Sequence, residues 1–215
     1  MSQGIKQIAR VGRWSSLLGG TFTFASAFAL FYDFASNAGI KYFCWLMTAS
    51  CYLTMTIAHK HAVKTCGTRT EAFYSDLAAT IATIYACYEV AIYYLQLTYL
   101  RQTKDPIGMS LMRDEPSTPV FAIDLLGYFL LSISTILVAF SIIEKEPRLL
   151  RFMLLFHGYS GMTCIVVPAL PMMYQNRSEG EDDVIWQYVL LLWTCAQFTP
   201  ICLLMSNYFH ELQKK

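Results

Sequence analysis

Polar and apolar residues fall in long blocks along this chain. Six stretches stay predominantly apolar, at 14–36, 39–59, 77–100, 118–142, 149–173 and 184–209. Each is long enough to cross about 30 Å of hydrocarbon at about 1.5 Å per residue. Backbone exposed to lipid must satisfy its own hydrogen bonds, so the expected fold is all-α, a six-helix transmembrane bundle. It forms a single integral membrane domain over 1–215. The longest connection, 101–117, carries Pro106-Ile107-Gly108 and mixed charges, and reads as an ordered loop or a short interfacial helix. No internal repeat and no low-complexity run is visible.

Composition agrees with that reading. The 215 residues are 55% hydrophobic and only 14% charged, against about 25% charged in soluble domains. The net charge of +1 says less than where the charges sit. With the N-terminus inside, the inner segments hold Lys6, Arg10, Arg13, Lys60, Lys64, Arg69, Lys145, Arg148, Arg151, Lys214 and Lys215. The outer segments hold Lys41, Arg101, Lys104, Arg113 and Arg177. Eleven against five places both termini in the cytoplasm. The first span is too long for the apolar core of a signal peptide and reads as a retained helix. Six cysteines lie within spans and Cys66 in a cytoplasmic loop, so no disulfide framework is expected. Asn176-Arg177-Ser178 is a glycosylation acceptor in an outer loop, meaningful in a eukaryotic source. Trp186 and Tyr188 read as interfacial anchors, and Pro168, Pro171 and Pro200 as kink positions in the last two helices.

A carboxylate near the bilayer centre costs about 2.5–3.5 kcal/mol on insertion scales, which singles out the ionisable residues inside the spans. They are Asp33 in the first helix, Glu89 in the third, Asp124 in the fourth and His157 in the fifth. At helical spacing, Tyr85, Glu89 and Gln96 share a face with Tyr93 at its edge. Asp124, Tyr128 and Thr135 align, as do Gly19, Thr23, Ser26 and Asp33. His157, Ser160, Gly161, Cys164 and Pro168 form a narrow face. These stripes are expected to converge on a polar, acid-lined cavity at mid-depth, partly open to the outside. The plainer alternative is that hydroxyls and amides simply hold helices together, at about 0.6 kcal/mol per bond. Cys44, Thr48, Cys51 and Met55 make a soft stripe on the second helix, which small-residue packing explains better than copper(I).

Gly158-Tyr159-Ser160-Gly161 beside His157 superficially resembles an intramembrane serine protease. A nucleophile needs a base within hydrogen-bond reach, whereas His157 and Ser160 lie a turn apart on one helix and point in parallel. Met162 also stands where a G-x-S-x-G elbow has its second glycine. Tight helix packing accounts for these small residues.

The stretch 93–132 has a Tyr-aromatic-x-Gln-Leu run, then Gly-Met-Ser-Leu, then Phe-x-Ala, an acidic residue and Leu-Gly-Tyr. The positions are Tyr93, Tyr94, Gln96, Leu97, Gly108, Met109, Ser110, Leu111, Phe121, Ala122, Asp124, Gly127 and Tyr128. Over roughly 85–215 this resembles a family of small, uncharacterised multi-pass membrane proteins, mostly bacterial. Ile92 replaces the family's frequent Asn, and its Asn-Pro ahead of the fourth helix is missing. The resemblance implies six helices and a shared site around Gln96 and Asp124; no activity comes with it.

Three functions fit. The first is binding or transport of a small cationic or amphipathic molecule by Asp33, Tyr85, Glu89, Tyr93, Gln96, Asp124, Tyr128 and His157, with aromatic faces adding cation–π attraction. The second is a membrane-embedded enzyme, an isomerase or cyclase acting on a lipid or terpenoid, with Glu89 or Asp124 as proton donor. The third is a non-catalytic assembly subunit whose stripes bind a membrane-protein partner or a second copy. No cofactor or metal motif is present, and no nucleic-acid partner is expected. The first reading is the one carried forward.

Overall fold

The computed structural model describes residues 3–31, 38–102, 119–143, 148–165 and 193–214. Asp33, the 103–118 part of the long connection, Pro168, Pro171, Asn176, Trp186 and Tyr188 lie outside the described residues. Those described form six α-helices and no strand: α1 (Gln3–Phe31), α2 (Ala38–Cys66), α3 (Arg69–Gln102), α4 (Pro119–Ser141), α5 (Arg148–Gly161) and α6 (Thr199–Lys214). A 3₁₀ turn, Met162–Ile165, follows α5, and a π turn, Thr194–Phe198, leads into α6. Of these, α3 and α4 are long and apolar enough to cross a membrane.

Each helix packs against its chain neighbour, and α6 closes the ring against α1. Neighbours run antiparallel. Thr23 meets Thr48, Tyr52 meets Tyr85, Tyr93 meets Asp124, and Thr135 meets His157. On α1, Gly12 faces the Phe209 ring, while Gly19 lies between Cys51 and Cys202. A side chain at either position would collide or crowd, so the small residues let α1 seat between α2 and α6. Arg13 Nη1 donates to His210 Nδ1 at 3.3 Å, which puts the start of α1 and the end of α6 at the same end of the bundle.

Several helices run past the apolar stretches that mark them. α2 and α3 have 29 and 34 residues, about 44 and 51 Å at the helical rise, longer than a hydrocarbon core. Their extension forms a hairpin at the end where the chain begins and finishes. Its turn is set locally by a reciprocal cap. The Thr68 backbone N–H donates to Glu71 Oε2 at 2.7 Å, and the Glu71 N–H donates to Thr68 Oγ1 at 3.3 Å. Lys60 and Lys64 then both pair with Asp76, at 3.0 and 2.9 Å. At the same end of α4, Arg151 Nη2 donates to the Ile142 carbonyl at 3.2 Å, satisfying a helix-terminal acceptor.

The ring encloses one main apolar core, with Met55, Leu131, Leu154, Phe198 and Met205 among its fully buried side chains. Large apolar side chains also face outward on every helix, such as Phe24, Phe43, Ile84, Phe140, Phe156 and Leu203.

Candidate functional site

The seam between α3 and α4 brings the two acidic stripes together. Glu89 is fully buried, and its carboxylate occupies the space that a side chain at Gly127 would need. Glycine at 127 is therefore what lets an α3 carboxylate lie directly against the α4 backbone. One turn further along α3, the Tyr93 hydroxyl donates to Asp124 Oδ1 at 2.7 Å. It also lies 3.3 Å from the Tyr128 hydroxyl. Since a phenol has one proton and Tyr93 gives its own to Asp124, Tyr128 is the donor in that pair. The order is Tyr128 to Tyr93 to Asp124. Glu89 and Asp124 are both within electrostatic reach of Tyr85 and Tyr128.

Aromatic rings wall this group. Trp45 of α2 stacks on Tyr93 at 6.4 Å between centroids and stands edge-on to Tyr128 at 6.1 Å. Tyr42 stacks on the Tyr93 ring at 6.3 Å. Tyr85, one turn from Glu89, sits edge-on to Tyr52 at 5.8 Å. Gln96 is buried two turns beyond Glu89 on the same helix. The sequence has no Lys or Arg in 70–100 or in 114–144. Two carboxyl groups, three phenols and an indole face form a set suited to holding a cation or exchanging protons.

His157 belongs to a second group. Its ring stacks on Trp193 at 4.7 Å, with the planes inclined 28°, and lies 5.5 Å from the Phe198 ring. Trp193 in turn meets Tyr128 edge-on at 4.9 Å, so Tyr128 stands between the two groups. The π turn explains the arrangement. In a regular α-helix, residues five apart point about 140° away from one another, whereas an i→i+5 turn brings them to one face. Trp193 and Phe198 accordingly lie near-parallel at 6.1 Å. Pro200 supplies the cause, because it cannot donate to the carbonyl four residues back and disturbs the helix there.

Ser160 does not address the imidazole. Its hydroxyl is 3.0 Å from the His157 carbonyl and 2.9 Å from Gln197 Oε1. Both are acceptors for its single proton, so Ser160 ties α5 to itself and to the π turn.

Among the predicted residues, Tyr85, Glu89, Tyr93, Gln96, Asp124 and Tyr128 lie along the α3–α4 seam, and His157 sits apart with Trp193. Thr23 packs instead on Thr48 at 3.2 Å. Cys44, Thr48, Cys51 and Met55 are all buried on α2, with Cys51 crowding Gly19 of α1. No group of three His, Cys, Asp or Glu side chains that could hold a metal occurs among the described residues. Sequence reading left Trp45, Trp193 and Gly127 without a role in the site. His59 is fully buried as well, 2.8 Å from Ser141 Oγ. Comparison with protein-family models, curated proteins and solved structures finds no match to the chain.

Proposed function

We propose that the chain is a six-span integral membrane protein with both termini cytoplasmic, and that it binds or transports a small cationic or amphipathic molecule at Glu89 and Asp124. The single observation that carries the ligand reading is the convergence of those two carboxyl groups, from adjacent helices, inside a shell of Trp45, Tyr85, Tyr93 and Tyr128. A cation there gains carboxylate charge and aromatic faces at once. The membrane reading draws on two apolar helices of spanning length and on an outward apolar face around all six. Soluble monomers rarely expose large apolar patches. The resemblance across 85–215 to small multi-pass membrane proteins points to Gln96 and Asp124 as well.

The ligand reading is tested by thermal unfolding of the full chain in mild detergent, titrated with tetraethylammonium and with its neutral carbon isostere 3,3-diethylpentane. At a hundred times its Kd, a bound cation stabilises by about 2.7 kcal/mol. The cation should raise Tm saturably and the isostere should not, with the effect lost in Glu89→Gln and Asp124→Asn. A cation that does not stabilise the wild type, or stabilises both amides equally, ends this reading in favour of a partner-binding subunit. Topology has its own reporter, because Cys66 is exposed at the α2–α3 turn. An impermeant maleimide should reach it in intact cells only after permeabilisation; labelling without permeabilisation would invert the orientation.

A further inference from the structure

The second group contains two buried polar atoms that have no hydrogen-bond partner among the described residues. Thr135 Oγ1 lies 2.8 Å from the Ser132 carbonyl and 3.2 Å from His157 Nδ1. A hydroxyl has one proton, and a carbonyl can only accept, so Thr135 donates to Ser132 and accepts from His157. The neutral imidazole therefore carries its hydrogen on Nδ1 and presents a bare lone pair at Nε2. His157 is fully buried, and Nε2 has no hydrogen-bond partner among the described residues. The same holds for Nε1 of Trp193, the ring stacked on it. One buried acceptor and one buried donor thus stand on adjoining rings, walled by Phe198 and by the edge contact with Tyr128. Buried polar atoms are almost always paired, so this concentration calls for an occupant.

The chemistry of the two atoms selects it. A carbonyl or ether satisfies the indole N–H but gives nothing to the imidazole. An ammonium donates to the imidazole but offers no lone pair to the indole. A hydroxyl does both from a single oxygen. We propose that His157 and Trp193 form a binding site for one hydroxyl group, accepted from Trp193 Nε1–H and donated to His157 Nε2. The aromatic walls favour a hydroxyl at the end of an apolar body, a lipid-like alcohol; a single water offers the same hydrogen bonds. The site stands on other atoms than the carboxyl pair and does not depend on the cation reading.

Nitrogen NMR of the full-length, ¹⁵N-labelled protein in detergent separates the cases. The Trp193 indole signal is identified by its absence in Trp193→Phe, which keeps an aromatic ring for stacking, and the His157 signal by His157→Gln. The additives are 1-decanol, its methyl ether and decane. Saturable shifts of both signals with decanol, a shift of the indole alone with the ether, and neither with decane are expected. In Trp193→Phe the decanol midpoint on the His157 signal should weaken about tenfold, the loss of one hydrogen bond. Signals already at hydrogen-bonded positions, in exchange with water and indifferent to decanol, uphold the hydroxyl site with water as its occupant. Signals that stay unbonded throughout, or a decanol midpoint equal in Trp193→Phe, overturn the proposal.

Discussion

The two halves of the α3–α4 seam use polar groups in opposite ways. In the half nearer the chain termini, Ser134 Oγ donates to the Ala78 carbonyl at 3.0 Å and accepts from the Tyr52 hydroxyl at 2.8 Å. Three helices are tied there by neutral groups, around the fully buried Ala78 and Ala82. In the other half the same two helices bury Glu89 against Gly127 and Asp124 against Tyr93. The first half needs no charge to hold its helices. Under the membrane reading proposed above, a buried acid costs several times what one hydrogen bond between helices returns, and that imbalance is the ground for proposing Glu89 and Asp124 as ligand-binding groups.

The sharpest way to break that contrast is at Gly127. A valine there would have to share space with the Glu89 carboxylate, and overpacking of this kind costs about 1–3 kcal/mol. We expect Gly127→Val to lie at the top of that range in denaturant unfolding from detergent. Combining it with Glu89→Ala should recover at least about 1 kcal/mol, the coupling expected of residues in contact. Additive losses in the double variant would mean that the two residues do not meet.

Tyr93→Phe probes the other acid with a smaller change. It keeps the ring under Trp45 and Tyr42 and deletes the hydroxyl that donates to Asp124 and accepts from Tyr128. Taking a donor from a buried acceptor costs about 1–3 kcal/mol. Tyr128→Phe should cost less, because Tyr128 donates to a phenol rather than to a carboxyl group. Equal losses in the two variants would remove the order of donation inferred from the distances.

Much of this seam was legible in the sequence. Period-3.6 stripes placed Tyr85, Glu89 and Gln96 on one face and Asp124, Tyr128 and Thr135 on another, and all six are buried. The pairing of Glu89 with Gly127 was not legible, because register between helices is a property of two segments and periodicity describes one. Trp45 and Trp193 escaped for a different reason: an aromatic residue in an apolar run adds no contrast to it. Helix ends lie beyond the apolar stretches, where hydropathy stops at the first charge, although Thr68 and Glu71, three apart, spell a cap from which α3 could have been started at Arg69. Pro200 was read as a possible kink. It could not reveal that the relief would be a π turn aiming Trp193 and Phe198 the same way.

The smallest effect belongs to the half that only holds. Ser134→Ala removes both bonds of one hydroxyl and leaves the Ala78 carbonyl in its own helix ladder. Hydrogen bonds between membrane helices average about 0.6 kcal/mol, with a maximum near 1.7, so Ser134→Ala should cost less than about 1 kcal/mol. Tyr52→Phe should cost no more, and the pair together little more than Ser134→Ala alone, because the bond that Tyr52→Phe deletes is one of the two that Ser134→Ala removes. The measurement is a double-mutant cycle in detergent unfolding. A loss as large as that of Gly127→Val would show that hydroxyls on this seam do more than join helices, and the contrast between its halves would fall.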